Sequence, residues 1–279
     1  MKLKNVMMNE LSPRLDTSDT SCETSEERMD LTEASSYLYD ALISPFESEL
    51  KTEQTLQIYC HDDRLMSVPW AALSSSAESD PLFQKYRLSI IPSSCTVSAS
   101  QVPSDAKIVH IQTLETKEET ESQIATAPSN IVVSSHKGLL SAMSAHKCVR
   151  LSLDLHSASD LQLADQKLNI SDMFTSVDLS HVVLAVLDSS NSAQLARALV
   201  QAGVKCVIHP LWKLPKTAIR ELILSLTSNL ESMDPISALQ DAQLQQKNGK
   251  QFKDSSFWSA WIAIVSRLAR LMLSYSYLI

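Results

Sequence analysis

Glycine is what this sequence has least of. Only Gly138, Gly203 and Gly249 occur in 279 residues, far below the usual share of about 7%. Glycine serves tight turns and close backbone approaches to ligands, so a nucleotide-cradling loop is excluded and no cofactor is expected. Cysteine is also used sparingly. The five, at positions 22, 60, 95, 148 and 206, are an odd number with no CxxC spacing. That pattern points to reduced thiols and a cytoplasmic chain. The start, MKLKNVMMNELSP, lacks the long apolar core of a signal peptide. Basic residues are outnumbered, 24 to 32, with a net charge of −8 and a pI near 5.4. A nucleic-acid binder would carry a basic stripe instead, so no nucleic-acid partner is expected. No helical repeat of about 34 residues is present.

Hydrophobic content of 44% is enough for a sizeable core in one large domain or two small ones. Residues 1–30 are polar, rich in Ser, Thr, Asp and Glu, and are expected to form a disordered acidic lead. From Leu31 a helical period begins, with Tyr37, Leu38, Ala41, Leu42 and Phe46 on one face. Strands are expected near 56–60, 86–91, 107–112, 130–133, 149–155, 181–187, 204–209 and 258–265. Between them lie helical stretches such as KGLLSAMSAHKC, whose Leu139, Leu140 and Met143 form an apolar stripe. The run from Ala196 to Trp212 shows the unit in miniature: a helix, a stop at Gly203, then the apolar strand Val204, Cys206, Val207, Ile208. Such alternation implies a mostly parallel sheet with helices on its faces. Residues 266–279 are apolar but contain Arg267 and Arg270, so a short amphipathic tail is expected rather than a membrane anchor.

Several segments, in order, resemble CHAT domains, the caspase-like, peptidase-related domains often attached to tetratricopeptide repeats. YLYDALISPFESEL is similar to the opening helix. RLMSVPWAAL follows, through Leu65, Val68, Pro69, Trp70, Ala71 and Leu73. PLFQKYRLSIIPS, LQLADQKLNISDMF, ARALVQAGVKCVIHPLW, DPISALQDAQLQQ and FWSAWIAIV complete the series. The resemblance covers residues 31–265. It implies an α/β fold, a caspase-like three-layer sandwich with a mainly parallel central sheet.

In active members a histidine ends one strand and a cysteine ends the next, because the thiol needs a base within hydrogen-bond reach. The first of these strands is VRLSLDLHS here, and two registers remain open. One puts Asp154 at the histidine position; the other puts His156 there and keeps the alternation of Leu151, Leu153 and Leu155. The second strand, HVVLAVLDSSNS, puts Leu187 where the nucleophile should stand. The resemblance therefore implies a non-catalytic, protein-binding or scaffold module whose partners are other proteins, such as tetratricopeptide repeat segments or peptides. The alternative is a hydrolase in which His156 activates Ser189 or Ser190. No metal is expected; a site built from His156, His181 and Asp188 is the third reading. Adjacent Cys60, His61 and Asp62 cannot converge on one atom, since strand neighbours point to opposite faces. Finally, the turn KLPKTA is basic where the family is acidic.

Overall fold

The computed structural model describes residues 31–50, 54–60, 62–76, 78–92, 108–113, 130–153, 160–162, 167–170, 174, 177–189 and 192–266. Among the described residues eight strands form one sheet: β1 (Thr55–Cys60), β2 (Arg87–Pro92), β3 (Ile108–Thr113), β4 (Asn130–Val133), β5 (Cys148–Ser152), β8 (Leu184–Leu187), β9 (Cys206–Pro210) and β10 (Trp261–Val265). Their spatial order is β1-β2-β10-β9-β8-β5-β3-β4. All neighbours are parallel except β9 and β10, which are antiparallel. β6 (Asp160–Gln162) and β7 (Lys167–Asn169) pair as a separate small hairpin.

The helices are α1 (Leu31–Leu42), α2 (Asp63–Met66), α3 (Leu82–Lys85), α4 (His136–Ser144), α5 (Ala193–Gln201), α6 (Lys216–Asn229), α7 (Pro235–Asn248) and α8 (Ser255–Trp258). Two layers cover the sheet. On one face Leu139 and Met143 of α4 and Leu195 and Leu199 of α5 pack with Val149, Leu151, Ala185, Leu187 and Val207. On the other, Leu222 and Leu226 of α6 and Leu239 of α7 pack with Cys148, Leu184, Val186 and Ile208. Middle strands buried on both faces read as continuous apolar runs, which is why LAVL has no polar alternation.

The eight expected strands are the eight strands of the sheet, within a few residues at each end. The structure adds two details on which the sequence reading is silent and shortens one expected strand. LQLADQKLN makes the β6–β7 hairpin. The closing strand runs against β9 rather than with it. β5 ends at Ser152. The expectations for residues 1–30 and for 267–279 lie outside the described residues.

α7 is fixed by an amide ladder. Gln240 donates to the Phe83 carbonyl, Gln243 to the carbonyls of Trp258 and Trp261 at 2.8 and 3.1 Å, and Gln246 to that of Ala218 at 2.9 Å. The spacing of three places these side chains on one flank of the helix.

Gly203 closes α5 with φ +108 and its amide donates to the Val200 carbonyl. A Cβ there would lie 2.8 Å from the Ser180 amide nitrogen, so the position is restricted by both backbone conformation and space. Gly203→Ala is expected to destabilise the fold by about 1–3 kcal/mol, measured by urea denaturation. An unchanged midpoint would show that the turn tolerates a side chain.

Candidate functional site

Active α/β folds place their chemistry at the carboxyl ends of the strands. In this chain the ends of β5 and β8 lie side by side, with Leu151 paired to Leu187 and the Asp188 amide donating to the Leu151 carbonyl at 3.3 Å. Leu187 is fully buried among the α4 and α5 side chains. Its side chain thus offers no nucleophilic atom and is shielded from solvent.

The next residue, Asp188, faces the opposite side of the sheet. Its Oδ2 accepts from Arg150 Nε at 3.0 Å, from Arg150 Nη2 at 2.8 Å and from Ser152 Oγ at 2.5 Å. Ser152 Oγ in turn lies 2.6 Å from His110 Nε2. A carboxylate only accepts, so the serine proton goes to Asp188 and His110 must donate from Nε2 to Ser152. This is the reverse of the proton flow in a hydrolase, where the imidazole takes the serine proton. The His110–Ser152–Asp188–Arg150 set has triad residue types without triad geometry. It ties β3, β5 and the end of β8 together.

Ser189 follows, with its Oγ buried and without a hydrogen-bond partner among the described residues. Asp154, His156 and Ser190 lie outside the described residues, so the choice between the Asp154 and His156 registers stays an expectation. His61 also lies outside them. The metal reading loses two of its three residues. His181 precedes β8 and its Nε2 lies 3.3 Å from the Met143 carbonyl, whereas Asp188 follows β8 and is held by Arg150. The intervening strand separates them by roughly 13 Å. Among the described residues no group of three or more His, Cys, Asp or Glu could hold a metal ion.

Cys60, Cys148 and Cys206 are buried free thiols. Burial pushes Cys60 and Cys148 up to about 11 and raises Cys206 further, so none is poised as a thiolate.

The family profile of the CHAT domain matches residues 32–138 and 116–266. The chain belongs to the CHAT domain family. No curated protein matches it in sequence. Two solved structures of the Saccharomyces cerevisiae separase–securin complex are similar to it. The structure at 3.0 Å matches with 13% identity and a TM-score of 0.53, covering 88% of this chain and 17% of that chain. The one at 2.6 Å matches with 11% identity and a TM-score of 0.49, covering 88% and 18%. This CHAT domain thus spans under a fifth of the length of those chains, and the likeness concerns the caspase-like fold.

Sequence reasoning missed two polar groups of this CHAT domain. His110 and Ser152 stand on different strands far apart in sequence, and only pairing brings them together. His209 is the other. It sits on β9, one residue beyond Ile208, which pairs with Val186, and is 1% exposed. Its Nδ1 donates to the Pro210 carbonyl at 3.1 Å and lies 3.3 Å from Ser192 Oγ. Its Nε2 is buried with no partner among the described residues. With Nδ1 committed to a carbonyl, the ring is not a base for Ser192.

Burial pushes the His209 imidazole down to about 4, aided by the Arg197 charge and opposed by the Pro210 carbonyl. An unfolded histidine titrates near 6.5, so on acidification the unfolded chain takes the proton first. The stability that neutral His209 confers is present above about 6.5, falls as pH drops toward 4, and then levels off. The loss is on the order of 3 kcal/mol. Urea denaturation of wild type and His209→Gln at several values across that window should show a steeper acid loss for wild type. Parallel curves would contradict this role for the ring.

Proposed function

We propose that the chain is a non-catalytic CHAT domain that binds other proteins as a scaffold or recognition module. The observation that carries the reading is Leu187. A fully buried aliphatic side chain occupies the nucleophile position of the family motif, and the residue after it spends its carboxylate on Arg150 and Ser152. The absence of a sulfur at that position, the packed leucine in its place and the lack of nearby glycines to shape an oxyanion pocket support a framework kept without its chemistry.

We infer from the degenerate strands a resemblance to the CHAT domain of tetratricopeptide repeat protein 28-like animal proteins. On that resemblance the partners are proteins, with tetratricopeptide repeat segments or peptides as candidates, and the sparse cysteines without CxxC spacing support a cytoplasmic setting. No helix among the described residues is long and apolar enough to cross a membrane. The domain boundaries proposed are a lead over residues 1–30, the CHAT domain over 31–265 and a tail over 266–279.

The competing reading is a serine hydrolase built on His156 with Ser189 or Ser190. The buried, unpartnered Ser189 hydroxyl is the one observation on its side, and burial also keeps that hydroxyl from substrate. Treatment of the purified protein with a fluorophosphonate should leave both serines unmodified by peptide mass spectrometry. Stoichiometric labelling that disappears in His156→Ala would replace the scaffold reading with a hydrolase.

A further inference from the structure

The chain is acidic, with a net charge of −8, yet one corner of its surface is not. Lys213 follows β9 and Lys216 and Arg220 lie in the first turns of α6. Lys250 and Lys253 lie in the loop after α7. All five are exposed.

Three contacts bring the two segments together. Gln246, in the last turn of α7, donates to the Ala218 carbonyl at 2.9 Å, joining the end of one helix to the start of the other. Gly249 lies against Glu221, whose Oε1 would be 3.7 Å from a Cβ at that glycine. Trp212 Nε1 donates to the Ser256 carbonyl at 2.9 Å, setting the Lys213 turn beside the loop that carries Lys253. Two carboxylates belong to the same corner. Glu221 abuts Gly249, and Asp254 uses its Oδ1 to accept from the Ser256 amide at 2.8 Å. Five cations against two acids leave the corner positive.

The backbone adds to this field. α6 begins at Pro215 with no side-chain cap and no acidic residue in its first turn. Its opening amides therefore keep their partial positive charge facing the same corner.

We infer that this corner, formed by the start of α6 and the loop after α7, is the docking surface for an acidic polypeptide segment of a partner protein. The inference rests on the protein-binding reading and names the chemistry of the partner. Charge complementarity selects the ligand. A short Asp- and Glu-rich segment can meet the cations without extending over the acidic remainder of the surface. A nucleic acid or an anionic membrane presents a long array of negative charge, which that remainder repels. The corner lies beside the carboxyl end of β9, so a segment held here runs along the face where the family's site would open.

Fluorescence anisotropy of a short labelled poly-glutamate peptide, titrated with the full chain at low salt, tests this. Binding should weaken by roughly tenfold or more in the combined variant Lys213→Glu, Lys216→Glu, Lys250→Glu and Lys253→Glu, and should weaken with added salt. Lys137→Glu, an exposed reversal on α4 at the opposite face, should leave it unchanged. Circular dichroism confirms that each variant is folded. Absence of peptide binding in the wild type would overturn the inference, as would a combined variant that binds as well as wild type. Tighter binding of duplex DNA or of phosphatidylserine vesicles than of the peptide would also overturn it. Fluorophosphonate reactivity, read on the same preparations, separates failure of this surface from failure of the non-catalytic reading.

Discussion

The two-sided burial of β8 is the constraint on which this structure turns. Leu184 and Val186 pack toward α6 and α7, while Ala185 and Leu187 pack toward α4 and α5. A strand in that position has no face left for water. Its side chains must be apolar along its length, and the first polar residue after it must find partners at once. Asp188 finds Arg150 and Ser152, and Ser152 draws in His110. Packing and this polar set together fill the end of β8. An active CHAT domain has to interrupt this logic and keep a reactive atom at the same point. Here Leu187 carries the packing through to the end of β8.

Much of the architecture was legible because parallel middle strands leave a simple trace. LAVL, CVIHP and WIAIV are short apolar runs between helical periods, and such runs have few other places to go. Gly203 marked the end of α5 because only glycine takes that backbone angle without strain. The β6–β7 hairpin was harder to see. Its strands have three residues each, and Leu161 and Leu168 read equally well as parts of a loop or of an irregular connection. The antiparallel run of β10 was hidden for a different reason, since a buried strand has the same composition in either direction.

The candidate site was legible in part. Leu187 in place of cysteine was visible in the motif, and the structure adds that this side chain is fully buried. The polar set around Asp188 was not visible, because it joins three strands by side chains that no local pattern links. Likewise, His209 lies within an apolar run and reads from sequence as an interruption. In space it is a neutral, buried ring whose Nδ1 is held by the Pro210 carbonyl. The basic corner at α6 was half legible. KLPKTA showed its charge, but the loop after α7 joins it only through the Gln246 and Trp212 contacts.

On the proposed reading, packing closes the strand end in addition to the missing sulfur atom. Restoring the sulfur tests this directly. Leu187→Cys should fold, and a thiol-reactive peptide warhead should fail to label it at a rate above that of the three buried native thiols. Peptide hydrolysis should be absent. Rapid, selective labelling at position 187 accompanied by peptide cleavage would show instead an intact site missing only its nucleophile, and would contradict the account.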